Sequence, residues 1–240
     1  MIELATADGH KVTTYRAEPE GTPRGALIVI QEGGLGPHAR KIADLFAAKG
    51  YLALAPALVD SDPASESEPE LGTERAFATL RAAIDSASPA GKVAVLGYGR
   101  AGYLAYLAGN AVPGIACVVC YYGDGVVDEF GGKRRVPTLV HFAGADKRVP
   151  SEKVIQFRAS RPDVSAFSYP GARHGFDGDD ETGFDAAIAE QARERSLFWI
   201  SQFVEGQPPV TLKNAGAYAL AKTDKKKKKK ADDDLGPPAD

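Results

Sequence analysis

Short apolar runs that alternate with amphipathic stretches of ten residues or more constrain the body of this 240-residue chain more than any other feature. The series runs GALIVIQE (25–32), PHARKIADLFAAKG (37–50), YLALAPAL (51–58), ELGTERAFATLRAAIDSA (70–87) and KVAVLG (92–97), followed by an Ala-rich helix to about Asn110. It continues with ACVVCYYG (116–123), TLVHFAGA (138–145), SEKVIQFRAS (151–160), VSAFSYPG (164–171) and FDAAIAEQARERSLFWISQF (184–203). Brief, wholly apolar strands joined through helices build a mostly parallel sheet buried on both faces, so the pattern predicts a single-domain α/β fold. Ligands of such sheets bind at the carboxyl ends of the strands, and the turns found there are the places to look for chemistry.

Composition narrows the function classes. Lys and Arg number 29 against 32 Asp and Glu, a net charge of −3, so no overall basic field draws the body onto nucleic acid or anionic lipid. Small molecules are the expected partners. Cys117 and Cys120 are too few for a disulfide framework and suit a reducing compartment. The first residues, MIELATADGHKVTTYR, show no cationic segment leading into an apolar one, and no run approaches the ~18 apolar residues that cross a bilayer. Cytoplasmic residence is the expectation. Composition breaks near Pro208, and residues 211–240, with Lys225–Lys230 ahead of ADDDLGPPAD, carry +3 and leave −6 on the body. The chain thus divides into a packed domain over 1–207 and a solvated, disordered tail over 208–240, whose lysines could make weak electrostatic contacts with RNA, lipid or the acidic body.

Four turns could carry chemistry. After IVIQ come Glu32, Gly33, Gly34, Leu35 and Gly36, a glycine-rich loop whose amides could approach a ligand closely; read alone, it is equally a flexible turn with Glu32 solvated. After KVAVL comes Gly97-Tyr98-Gly99-Arg100-Ala101-Gly102, which matches the G-x-G-x-x-G dinucleotide fingerprint, with Asp124 suitably placed beyond it for a ribose hydroxyl. The same residues match a nucleophile elbow whose centre is Gly99. Asp146 follows TLVHFAGA and His174 follows VSAFSYPGAR, each past its own strand. Singly, an Asp in a turn serves turn geometry and a lone His packs or is solvated. In the order elbow, acid, histidine they reproduce the chain order of the α/β-hydrolase triad, which a dinucleotide fold does not require.

Over residues 24–205 the landmarks IVIQE, PHARKIADLFAAKGYLALAP, KVAVLGYG, VPTLVHFAGADKRVP, YPGARHGF and FDAAIAEQARERSLFWI resemble, in order and spacing, those of the dienelactone hydrolase family, the carboxymethylenebutenolidases. The resemblance implies an α/β-hydrolase fold, small ester or lactone substrates and no cofactor. It also implies site roles: the nucleophile position at Gly99, the triad acid at Asp146, the base at His174, a carboxylate governing the nucleophile at Glu32, and oxyanion-hole amides from Gly33 and Arg100.

The chain departs from that family at the reacting atom, because Gly99 projects neither sulfur nor hydroxyl. Cys117 and Cys120 do not replace it; three residues apart in one strand, they face opposite sides of the sheet. One C-x-x-C inside a strand and four histidines without a carboxylate cluster do not compose a metal site. Gly178 stands where the family has an Arg that grips the substrate carboxylate, and the GGLG loop predicts a roomier pocket mouth. Three functions follow: a dienelactone-hydrolase-like protein with residual, water-based hydrolysis; a non-catalytic small-molecule-binding homologue; or a nucleotide-binding protein using GYGRAG.

Overall fold

The computed structural model describes residues 1–32, 35–58, 72–178 and 182–206. The expected tail beyond residue 207 lies outside them. Eight strands form one sheet: β1 Ile2–Ala5, β2 Lys11–Ala17, β3 Ala26–Gln31, β4 Leu52–Pro56, β5 Val93–Tyr98, β6 Ile115–Tyr121, β7 Thr138–Ala143 and β8 Ser165–Tyr169. Their spatial order is β1-β2-β4-β3-β5-β6-β7-β8. From β3 onward all neighbours run parallel, whereas β1 and β2 join antiparallel at one edge. Every apolar run expected to be a strand is one. The reading of the sequence assigned nothing to β1 and β2, whose half-exposed residues lack a continuous apolar signature.

The pleat divides the buried side chains into two layers. Ile28, Leu54, Val95, Val118, Cys120 and Phe142 pack on one face beneath the helices α2 Thr73–Ala87, α3 Arg100–Ala111 and α4 Ser151–Ser160. Leu27, Val29, Leu96, Cys117, Val119 and Leu139 pack on the other, beneath α1 Pro37–Ala47 and α5 Ala186–Ile200. Cys117 and Cys120 therefore do face opposite sides, and burial pushes both thiols up to about 12, which keeps them protonated and unreactive.

The order of the strands locates the cleft. From β3 the chain winds outward to β4, then returns to β5 and proceeds the other way, so the carboxyl ends of β3 and β5 diverge beside one another. Gln31 pairs with Tyr98 across that junction, which sets Glu32 beside Gly99. Close backbone packing holds the turn from β5 into α3. A Cβ on Gly97 would lie 2.5 Å from the Ala101 carbonyl oxygen, and one on Gly102 would lie 2.9 Å from that of Tyr121. In this turn Gly97 and Gly102 serve helix–strand contact. Gly102→Ala should lower stability by roughly 1–3 kcal/mol through overpacking, read as a fall in denaturant midpoint. An unchanged midpoint would mean that the helix has slack against the sheet.

Candidate active site

Gly99 is the N-cap of α3, with φ 58° and ψ −132°, a conformation that costs an L-residue strain and a glycine none. Its amide donates to the Tyr121 carbonyl (3.1 Å) and its carbonyl accepts from the Tyr103 amide (3.2 Å), which tie the bend to the next strand and to its own helix. A Cβ placed there would point at two groups: Glu32 Oε2 at 3.1 Å and His174 Nε2 at 3.7 Å. Three of the expected residues thus converge on one point at the sheet's carboxyl edge.

Asp146 completes a second contact. Its carboxylate can only accept, so the 2.8 Å contact between Asp146 Oδ2 and His174 Nδ1 fixes the imidazole proton on Nδ1 and leaves the Nε2 lone pair facing the Gly99 bend. The Arg148 amide donates to the other oxygen, Oδ1, at 2.9 Å. Burial alone raises the Asp146 pKa, but the hydrogen bonds from His174 and the Arg148 amide outweigh it and hold the carboxyl below its ordinary 3.8. The His174 side chain is 25% exposed and that of Asp146 2%, so the histidine alone of this pair opens to the cleft.

The amide of Arg100, expected in an oxyanion hole, donates to Glu32 Oε2 at 3.3 Å. Glu32 thereby leans over the bend. Gly33, the other expected donor, and the GG of the loop that predicted a wider mouth lie outside the described residues. Gly178 is buried, its amide donating to the Gly175 carbonyl at 3.1 Å. Asp124 opens a short 3-10 helix, Asp124–Asp128, after β6.

Further residues, to which sequence reasoning assigned no role, bear on the site. Arg148 Nη1 stands 3.3 Å from His174 Nε2. Tyr122, at φ 38° a non-glycine residue in the left-handed region, lies with its ring 4.7 Å from the imidazole. Its hydroxyl donates to Asp177 Oδ1 at 2.6 Å, and His38 Nε2 lies 3.6 Å from the other oxygen of that carboxylate. Tyr98 stacks on Tyr121 and meets the edge of His38. The buried partner of His38, Asp177, is three residues past His174, a spacing that carries no signal by itself. His141 is buried: its ring bonds Tyr169 and Ser196, and burial lowers its pKa to about 3.

The chain as a whole resembles known proteins. A profile of the Dienelactone hydrolase family matches residues 12–204. The chain belongs to that family. It is 31% identical over 229 residues to a putative carboxymethylenebutenolidase of Azospirillum brasilense, an alignment covering 84% of this chain and 97% of the relative. With the carboxymethylenebutenolidase of Pseudomonas putida it shares 27% over 233 residues, covering 86% and 98%. The putative dienelactone hydrolase of Klebsiella pneumoniae superposes with a TM-score of 0.73 at 22% identity, covering 84% of this chain and 99% of that one. The α/β-hydrolase fold and a relation to ester and lactone hydrolases follow from these matches.

Burial pushes Asp177 above the ordinary carboxylate range, against the opposing pull of His38 and the Tyr122 hydroxyl. The folded state therefore holds this proton more tightly than the unfolded chain does. Stability falls as pH rises from 3.8 through the raised folded value, and the loss is complete above it. Asp177→Asn keeps an acceptor for Tyr122 but cannot ionise, so its stability relative to the parent should climb across that same rise. Denaturant midpoints measured against pH check this, and a difference that stays flat would disconnect Asp177 from the titration.

Proposed function

We propose that this chain is a dienelactone-hydrolase-like protein for small esters or lactones that lacks a covalent nucleophile and hydrolyses them, at most, by direct attack of water. The reading rests on one observation: His174 Nε2, with its partner nitrogen held by Asp146, faces a bend that carries no attacking atom. In this scheme His174 Nε2 takes a proton from water while the water oxygen bonds to the carbonyl carbon. The developing oxyanion displaces Glu32 from the Arg100 amide, with Gly33 as the proposed second donor. The tetrahedral species then expels the alkoxide, which takes the proton back from His174. Acid and alcohol leave and no acyl-enzyme forms.

Magnitudes make this a poor catalyst. Loss of the nucleophile from a hydrolytic triad costs on the order of a millionfold, about 8 kcal/mol of barrier, while binding and the oxyanion hole retain ~10³-fold over water. A non-catalytic, small-molecule-binding role is the second reading, favoured by the engagement of the Arg100 amide by Glu32.

Two variants separate them. The parent should hydrolyse p-nitrophenyl acetate and small lactones barely above background, and His174→Ala should remove what there is. Gly99→Cys, at a strain cost of about 1–3 kcal/mol, should raise the rate by ~10³-fold or more. A folded Gly99→Cys protein with no gain would favour the binding role, and hydrolysis unchanged in His174→Ala would end the water scheme.

A further inference from the structure

His174 Nε2 is not open in this state. Among the described residues, the guanidinium of Arg148 meets no carboxylate at ion-pairing distance, and its Nη1 instead donates toward the imidazole lone pair at 3.3 Å. The arrangement is held from below, since the Arg148 amide is tied to the same Asp146 that orients the ring. A base whose lone pair already accepts a hydrogen bond cannot take a proton from water until the donor leaves.

We infer that Arg148 is an oxyanion-binding gate: its guanidinium caps His174 Nε2 in the empty site and swings off it to grip an anionic group of the ligand, which frees the nitrogen. The inference rests on the reading of His174 as the base of this cleft. Competition between acceptors drives the exchange. A guanidinium presents a planar fork of donors that a carboxylate or phosphate engages bidentately with full charge, whereas a neutral imidazole nitrogen offers one lone pair and no charge. Arg148 is exposed, so its reorientation disturbs no packed side chain. Among the described residues, the carboxylates near the imidazole are engaged elsewhere by hydrogen bonds: Asp146, which feels the Arg148 charge, bonds Nδ1 and the Arg148 amide, Glu32 bonds the Arg100 amide across the bend, and Tyr122 presents its ring. The ligands favoured by this gate are therefore esters or lactones that also bear an oxyanionic group, and neutral ones meet a capped base.

The test does not depend on turnover. Diethyl pyrocarbonate acylates an imidazole nitrogen through its free lone pair, and peptide mass spectrometry follows the reaction at His174 specifically at neutral pH. In the full chain, His174 should react slowly, and saturating acetate or inorganic phosphate should speed it about tenfold, the factor a single charge-assisted hydrogen bond is worth. Arg148→Gln should react at the faster rate without either anion and respond to neither. Acceleration by acetate alone assigns a carboxylate ligand, and by phosphate alone a phosphate ligand. Equal rates for parent and Arg148→Gln, or parent rates indifferent to both anions, overturn the gate. Absence of ester hydrolysis would sink the water scheme while leaving these rates to judge Arg148 separately. Circular dichroism of Arg148→Gln, expected to match the parent, guards against loss of fold.

Discussion

The bend at Gly99 is the constraint on which the site depends. Between the end of β5 and the start of α3 the chain must reverse within one residue, because Gly97 and Gly102 bring the first helical turn against the backbone of β5 and β6. That reversal demands φ 58°, a conformation costing an L side chain ~1–3 kcal/mol, and it fixes where the Arg100 amide points. The geometry is thus required by packing, independently of chemistry. A glycine at the apex satisfies that packing at lower strain than an L side chain does.

Much of this was legible in the sequence because it is periodic or ordered. The runs from GALIVIQE to TLVHFAGA are mostly apolar and fully or nearly fully buried, as strands covered on both faces require, while SAFSY of β8 is only partly buried; six of the eight strands follow. The odd spacing of Cys117 and Cys120 predicted their opposite faces from the pleat alone. The order of Gly99, Asp146 and His174, each past its own strand, brought them to one edge because the parallel register carries successive strand exits to the same side. Strands β1 and β2 were invisible for the converse reason: LysValThrThrTyrArgAla buries Val12 and Thr14 on one face and leaves their neighbours wet. His38 with Asp177 could not be foreseen either. They meet because the helix after β3 and the loop after β8 converge over the site, and neither has a local partner to announce it.

Beneath the cleft lies a layer of aromatic and polar side chains that stiffens it. Tyr98 stacks on Tyr121 at 4.7 Å, and Tyr121 shares Ser196 with His141, which also bonds the Tyr169 hydroxyl. Ser196 belongs to α5, so these contacts fasten that helix to three neighbouring strands through buried hydrogen bonds. A neutral His141 suits this place, since its ring donates at one nitrogen and accepts at the other, whereas a cation buried there would go uncompensated. Above this floor Tyr122 holds its strained backbone through the bond to Asp177 and sets one wall of the imidazole.

The two charged side chains at the rim close the site without collapsing it. Glu32 covers the Arg100 amide from one side, and Arg148 covers His174 Nε2 from the other, so each group that hydrolysis would use is satisfied by an exposed residue. Contacts made by solvated charges are worth little, commonly ~0–1 kcal/mol, because water competes for both partners. In the proposed scheme, a ligand offering one carbonyl oxygen to the amide and one anionic oxygen to the guanidinium would replace both at small expense and find the imidazole oriented by the buried Asp146. The energy that shapes the cleft thus resides in the packed bend and the aromatic floor, and its rim is held weakly enough to yield.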